Sequence, residues 1–71
     1  MLSFELTNAG RAIQIYCDEK GLSSLIKALE KVRSGGHLHL RTPGNGGREL
    51  NEKNPWGKDA IGEVIITTGG D

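Results

Sequence analysis

His37 and His39 stand two apart in the run His37-Leu38-His39-Leu40-Arg41, a spacing that sets two imidazoles side by side on one face of a strand. Such a pair can share a zinc or copper ion, yet two ligands leave the site incomplete, and neither Cys-x-x-Cys nor His-Glu-x-x-His accompanies them. The expectation is a pair of exposed strand histidines without a metal. Pro43-Gly44-Asn45-Gly46-Gly47-Arg48 has the glycines of a phosphate-cradling loop, but it lacks the Lys-Ser or Lys-Thr ending and leads into no helix. Glu49, Glu52, Asp59 and Glu63 supply carboxylates of the kind a glycosidase pairs across a cleft. Arg41, Arg48, Lys53 and Lys58 lie among them, so they read as a solvated charged loop. Ser23 falls within a helical pattern and Cys17 among apolar residues, and neither has the setting of a nucleophile. The residues therefore predict no catalytic group, no cofactor and no metal, and hence no enzyme.

Aromatic residues suggest a different chemistry. Trp56 lies in Asn54-Pro55-Trp56-Gly57-Lys58, and an indole flanked by turn residues either covers a core edge or stands out as an interface anchor. Tyr16 carries the same ambiguity. Gly69-Gly70 resembles the diglycine ending of ubiquitin-like carriers, with Asp71 following it; the plain alternative is a frayed tail over residues 69–71.

The elements that must hold these groups can be read from periodicity. Leu2, Phe4 and Leu6 alternate with polar residues, as do Ile13, Ile15 and Cys17, and Asn8-Ala9-Gly10 between them suits a hairpin turn. At Asp18 the period changes to 3.6. Leu22, Leu25, Ile26, Leu29 and Val32 form one helical stripe, Asp18 caps it, and Gly35-Gly36 ends it, which places a helix at about 19–34. His37 to Arg41 is a third strand, with Leu38 and Leu40 towards the helix. Residues 42–60 form a long loop rich in Gly, Pro and charge, with a short strand at Arg48-Glu49-Leu50 allowed within it, and 61–68 is a terminal strand. The fold class is α+β in the order β-β-α-β-(β)-β: one mostly antiparallel sheet with a single helix on one face. The opposite face is left to Glu5, Thr7, Gln14, Tyr16, His37, His39 and Arg41. Of these, Gln14, Tyr16, His37, His39 and Arg41, joined by Trp56, form the expected partner-binding set.

Composition narrows the function further. A chain of 71 residues makes a single small domain, residues 1–71, with a modest core. Nine basic and nine acidic residues cancel, which argues against nucleic acid and against a membrane surface. The longest unbroken apolar run is Val64-Ile65-Ile66, and no signal-peptide pattern opens the chain. A single cysteine excludes an intrachain disulfide and favours a reducing, cytoplasmic setting, for a monomer or weak homodimer.

With the elements placed, a family likeness emerges in Ile13-x-Ile15, Asp18-x-x-Gly21-Leu22-x-x-Leu25-Ile26-x-x-Leu29, Gly36-His37-Leu38-His39-Leu40 and Gly47-x-Glu49-Leu50. This succession resembles the small bacterial immunity proteins of polymorphic toxin systems, the family numbered thirty-two among them, over about two thirds of the chain. The resemblance implies a non-catalytic protein that binds and neutralises a cognate toxin in the cell producing it. Its charge balance further implies that the toxin is held by local complementarity more than by long-range attraction. A general protein-interaction module or a β-grasp-like carrier is the alternative.

Overall fold

Alternating apolar residues and a capped amphipathic stretch organise the chain as expected at the level of elements. The computed structural model describes residues 1–69. Among them run β1 (Leu2–Thr7), β2 (Ala12–Cys17), the helix α1 (Glu19–Lys31), β3 (Gly36–Arg41) and β4 (Glu63–Thr68), with a short 3-10 turn at Pro43–Asn45. The fold is α+β, with a single helix among the described residues. Gly70 and Asp71, which complete the expected diglycine tail, lie outside them.

The hairpin β1–β2 is antiparallel in the register Leu2↔Cys17, Phe4↔Ile15, Leu6↔Ile13. Its turn places Asn8, Ala9 and Gly10 at positive φ, closed by the Gly10 and Arg11 N–H groups donating to the Thr7 carbonyl at 3.0 and 3.1 Å. Asp18 caps α1 by accepting from the Gly21 N–H at 2.8 Å. The helix ends earlier than its periodicity suggested, with Val32 as C-cap, and Gly35 and Gly36 at positive φ turn the chain into β3.

The strands form two ribbons rather than one sheet: β1 pairs with β2, and β3 with β4. The physical cause is the long connection. Asn51 clasps the outer edge of β1, its N–H donating to the Leu2 carbonyl and its Oδ1 accepting from the Leu2 N–H, both at 2.8 Å. Two residues along that edge, the Ile61 N–H donates to the Phe4 carbonyl at 2.8 Å. The Leu50 N–H meanwhile donates to the Arg41 carbonyl at the end of β3. The edge of β1 is thus taken by connecting backbone, and the segment Arg48-Glu49-Leu50 supplies a seam between ribbons instead of the additional strand.

Leu2, Phe4, Ala28, Leu40 and Leu50 form the buried cluster at that seam, with Leu25, Leu38, Ile61, Val64 and Ile66 packed against it. Ile65, on the other face of β4, is exposed. Two expectations about the core are corrected. Leu22, Ile26 and Leu29 are only half-buried, and Ile13, Ile15 and Cys17 are exposed. The closest approach of α1 runs instead through Gly21 and Ala28, its two buried residues. A Cβ on Gly21 would stand 1.7 Å from the Met1 carbonyl oxygen, so glycine lets the start of β1 press onto the helix there. The helix thereby turns its Gly21-Leu25-Ala28-Val32 row to the seam and leaves the neighbouring Leu22-Ile26-Leu29 row outside.

Candidate functional site

The most developed polar arrangement lies on the second face of the β1–β2 ribbon. Strand alternation puts Ser3 and Glu5 of β1 opposite Tyr16 and Gln14 of β2. The Tyr16 hydroxyl donates to Glu5 Oε1 at 3.1 Å, and Asn54 Nδ2 donates to Glu5 Oε2 at 3.2 Å. One carboxylate therefore ties the strand tyrosine to the loop. Asn54 is itself buried, and its Oδ1 accepts from the backbone N–H groups of Trp56 and Lys58, each at 2.9 Å. This is an Asx-type turn, in which a short amide side chain replaces backbone partners. A bond from the Asn54 N–H to the Lys58 carbonyl at 2.8 Å closes the same loop, and Gly57 takes its positive φ within it.

The turn holds the Trp56 indole 5.3 Å from the Tyr16 ring, tilted by 52°. Trp56 nevertheless remains 72% exposed. It lies against Tyr16 and does not cover the core. Partial burial, with the neighbouring Glu5 carboxylate second, pushes the Tyr16 hydroxyl above its ordinary pKa. The sheet face expected to be open is closed at one end: Ser3 is fully buried and its Oγ has no hydrogen-bond partner.

The remaining expected residues sit on the other ribbon. His37 and His39 meet edge to face with ring centroids 5.3 Å apart. Glu63, opposite Arg41 on β4, accepts from Arg41 Nε at 2.5 Å and lies 2.9 Å from His39 Nδ1. The Arg41 guanidinium first, and His39 second, hold the Glu63 carboxyl below the usual carboxylate range. Arg41 thus has an intramolecular counter-ion and His39 a hydrogen-bond partner in Glu63, while His37 stays exposed. Of the six expected partner-binding residues, Gln14, Tyr16 and Trp56 share one face. His37, His39 and Arg41 form a second cluster, and no hydrogen bond, ion pair or ring contact among the described residues joins it to the first. Asn54, the residue that positions Trp56, was not in the expected set. Its signal was present in the sequence as an Asn two residues before the indole, in a turn closed by glycine.

The other chemistry-bearing residues are dispersed onto structural partners. Glu49 accepts from the Arg41 N–H at 3.0 Å, chiefly for which its carboxyl is held low. Glu52 accepts from the Gly44 N–H, so a carboxylate already occupies an amide of the Gly-rich loop. Asp59 pairs with Lys53 at 2.6 Å, which lowers the carboxyl and raises the amine. Among the described residues no three His, Cys, Asp or Glu side chains gather as a metal site, and no helix is long and apolar enough to cross a membrane. Comparison with protein-family models, curated proteins and solved structures finds no match to this chain.

Proposed function

We propose that this protein is a non-catalytic binding module of the immunity type, which neutralises a cognate bacterial toxin domain by occluding it, and that the Tyr16–Trp56 face makes the contact. The observation carrying this reading is an indole that is mostly exposed and yet fixed, by Asn54 below its backbone and by Tyr16 beside its ring. Exposed tryptophan and tyrosine are the side chains that most often anchor protein interfaces. Holding them in place before binding removes part of the ordering cost. Gln14 on the same strand face and the Tyr16 hydroxyl supply hydrogen bonds at the rim. With net charge zero, affinity comes from that patch more than from a long-range field.

The test is co-expression with the toxin domain encoded beside this gene. Wild-type protein binds the toxin and restores growth, whereas Trp56→Ala and Tyr16→Ala variants fold and protect poorly. A neighbouring gene whose product is neither toxic nor bound removes the immunity reading.

A further inference from the structure

The free side of β2 carries a second feature, distinct from the aromatic face. In an antiparallel pair, residues whose backbone groups do not bond across the pair point them outward. On β1 the outward groups are those of Leu2 and Phe4, as their bonds to Asn51 and Ile61 show. Their partners Cys17 and Ile15, and by the same alternation Ile13, therefore direct N–H and C=O groups away from the ribbon. Among the described residues β2 has no neighbour beyond β1. No loop, cap or side-chain hydrogen bond of the described residues reaches the backbone of Ile13 or Ile15. The strand also lacks the usual protection of an edge, since Ala12-Ile13-Gln14-Ile15-Tyr16-Cys17 contains neither charge nor proline.

The core also leaves out apolar groups, each about half exposed: Leu6, Ile13 and Ile15 on the ribbon, and Leu22, Ile26 and Leu29 on the side of the helix away from Ser24, Lys27 and Lys31, which flank β3. Their exposed fractions amount to on the order of 500 Å², comparable with the largest apolar patch of a typical monomer at ~300–600 Å². That is more than half of the ~800 Å² each partner contributes to a stable interface, before any backbone area is counted.

We propose that a second copy of this chain covers the edge, β2 pairing antiparallel with β2 of its mate about a twofold axis at Ile15. In that register Ile15 faces Ile15 and Ile13 faces Cys17 of the second copy, so all three outward residues exchange backbone hydrogen bonds. The two ribbons become one four-stranded sheet. The Leu22-Ile26-Leu29 rows of the two helices meet on its helical face, apolar against apolar. Arg11, which precedes β2, faces Glu19 at the far end of the other copy's strand, a charge match repeated by symmetry, while Asp18 stays with its own chain's N-terminal ammonium and helix cap. Tyr16 and Trp56 stay on the opposite face, so the dimer presents the aromatic pair twice.

Sedimentation equilibrium of the full chain over a wide concentration range tests this. The expected result is a mass of two chains, returning to one for Ile13→Lys, an exposed position whose change spares the fold, as circular dichroism will show. The register is read separately from disulfide formation. In a Cys17→Ser background, Ile15→Cys oxidises to a covalent dimer, whereas Ile65→Cys, equally exposed on β4, does not. A single-chain mass at every concentration overturns the proposal and leaves the edge to a strand of another protein. A dimer that persists in Ile13→Lys, or that cross-links through position 65 and not 15, overturns it as well.

Discussion

Replacing Trp56 by alanine separates an interface anchor from a core residue, and the structure sets the size of the effect. With 72% of the residue exposed, little more than a quarter is withdrawn from water. That is about 70 Å² of a side chain of roughly 250 Å², worth about 1.8 kcal/mol at ~25 cal/mol per Å². The tilted contact with Tyr16 adds about 0.5 kcal/mol in so open a position. Trp56→Ala should therefore cost about 2 kcal/mol and lower the melting temperature by on the order of 10 °C in a domain of this size. Truncating a buried tryptophan costs about 3–5 kcal/mol. Urea denaturation followed by far-ultraviolet circular dichroism measures the difference. Trp56 is the only tryptophan, so its fluorescence in the wild type reports the same site directly: water-like emission, readily quenched by iodide. Loss of the folded state on substitution, or blue-shifted emission shielded from quencher, would instead place the indole in the core. For binding, loss of an anchor worth ~2 kcal/mol appears as about a 30-fold weaker Kd.

Other outcomes follow from local geometry. Gly21→Ala gains about 1 kcal/mol of helix propensity but sets a methyl group 1.7 Å from the Met1 carbonyl oxygen and 3.2 Å from Cys17 Cβ. The net effect should be a loss of several kcal/mol, because backbone must move, and an unchanged urea midpoint would show that the approach at Gly21 is not tight. Ala9→Gly should raise the melting temperature slightly, by relief of about 0.5 kcal/mol, since Ala9 holds φ at 56° while glycine costs some unfolded-state entropy. Acid should weaken the β3–β4 ribbon through Glu63: its folded pKa lies below the ordinary 4.5, so its stabilisation is complete above that value and is lost as pH falls through the depressed one. The acid limb of a stability profile should be shallower in Glu63→Gln, and an identical limb would exclude the group.

Much of the fold was legible because its signals are local. The alternation in β1, the Asp18 cap and Gly35-Gly36 each specify a conformation within a few residues. The division into two ribbons was not, because it depends on Asn51 and Ile61 taking the edge of β1 across about fifty residues of sequence, which no periodicity encodes. The helix stripe was read too broadly for a related reason: five apolar residues fit one face, and only the tight approach at Gly21 decides which row is buried. The candidate surface divided in the same way. Strand alternation placed Gln14 and Tyr16 together, while the position of Trp56 depends on Asn54 and Glu5, forty-nine residues apart. His39 and Arg41 shared a strand face as expected, but their common partner Glu63 arrives from β4.

The proposed function is the binding and neutralisation of a toxin by the fixed aromatic pair. Its most direct test is the growth of cells expressing the neighbouring toxin domain together with wild-type protein or with a folded chain carrying both Tyr16→Ala and Trp56→Ala. Rescue by the wild type and its loss in the double variant, with circular dichroism unchanged, is the predicted result. Equal rescue by both chains, or rescue by neither, would contradict it.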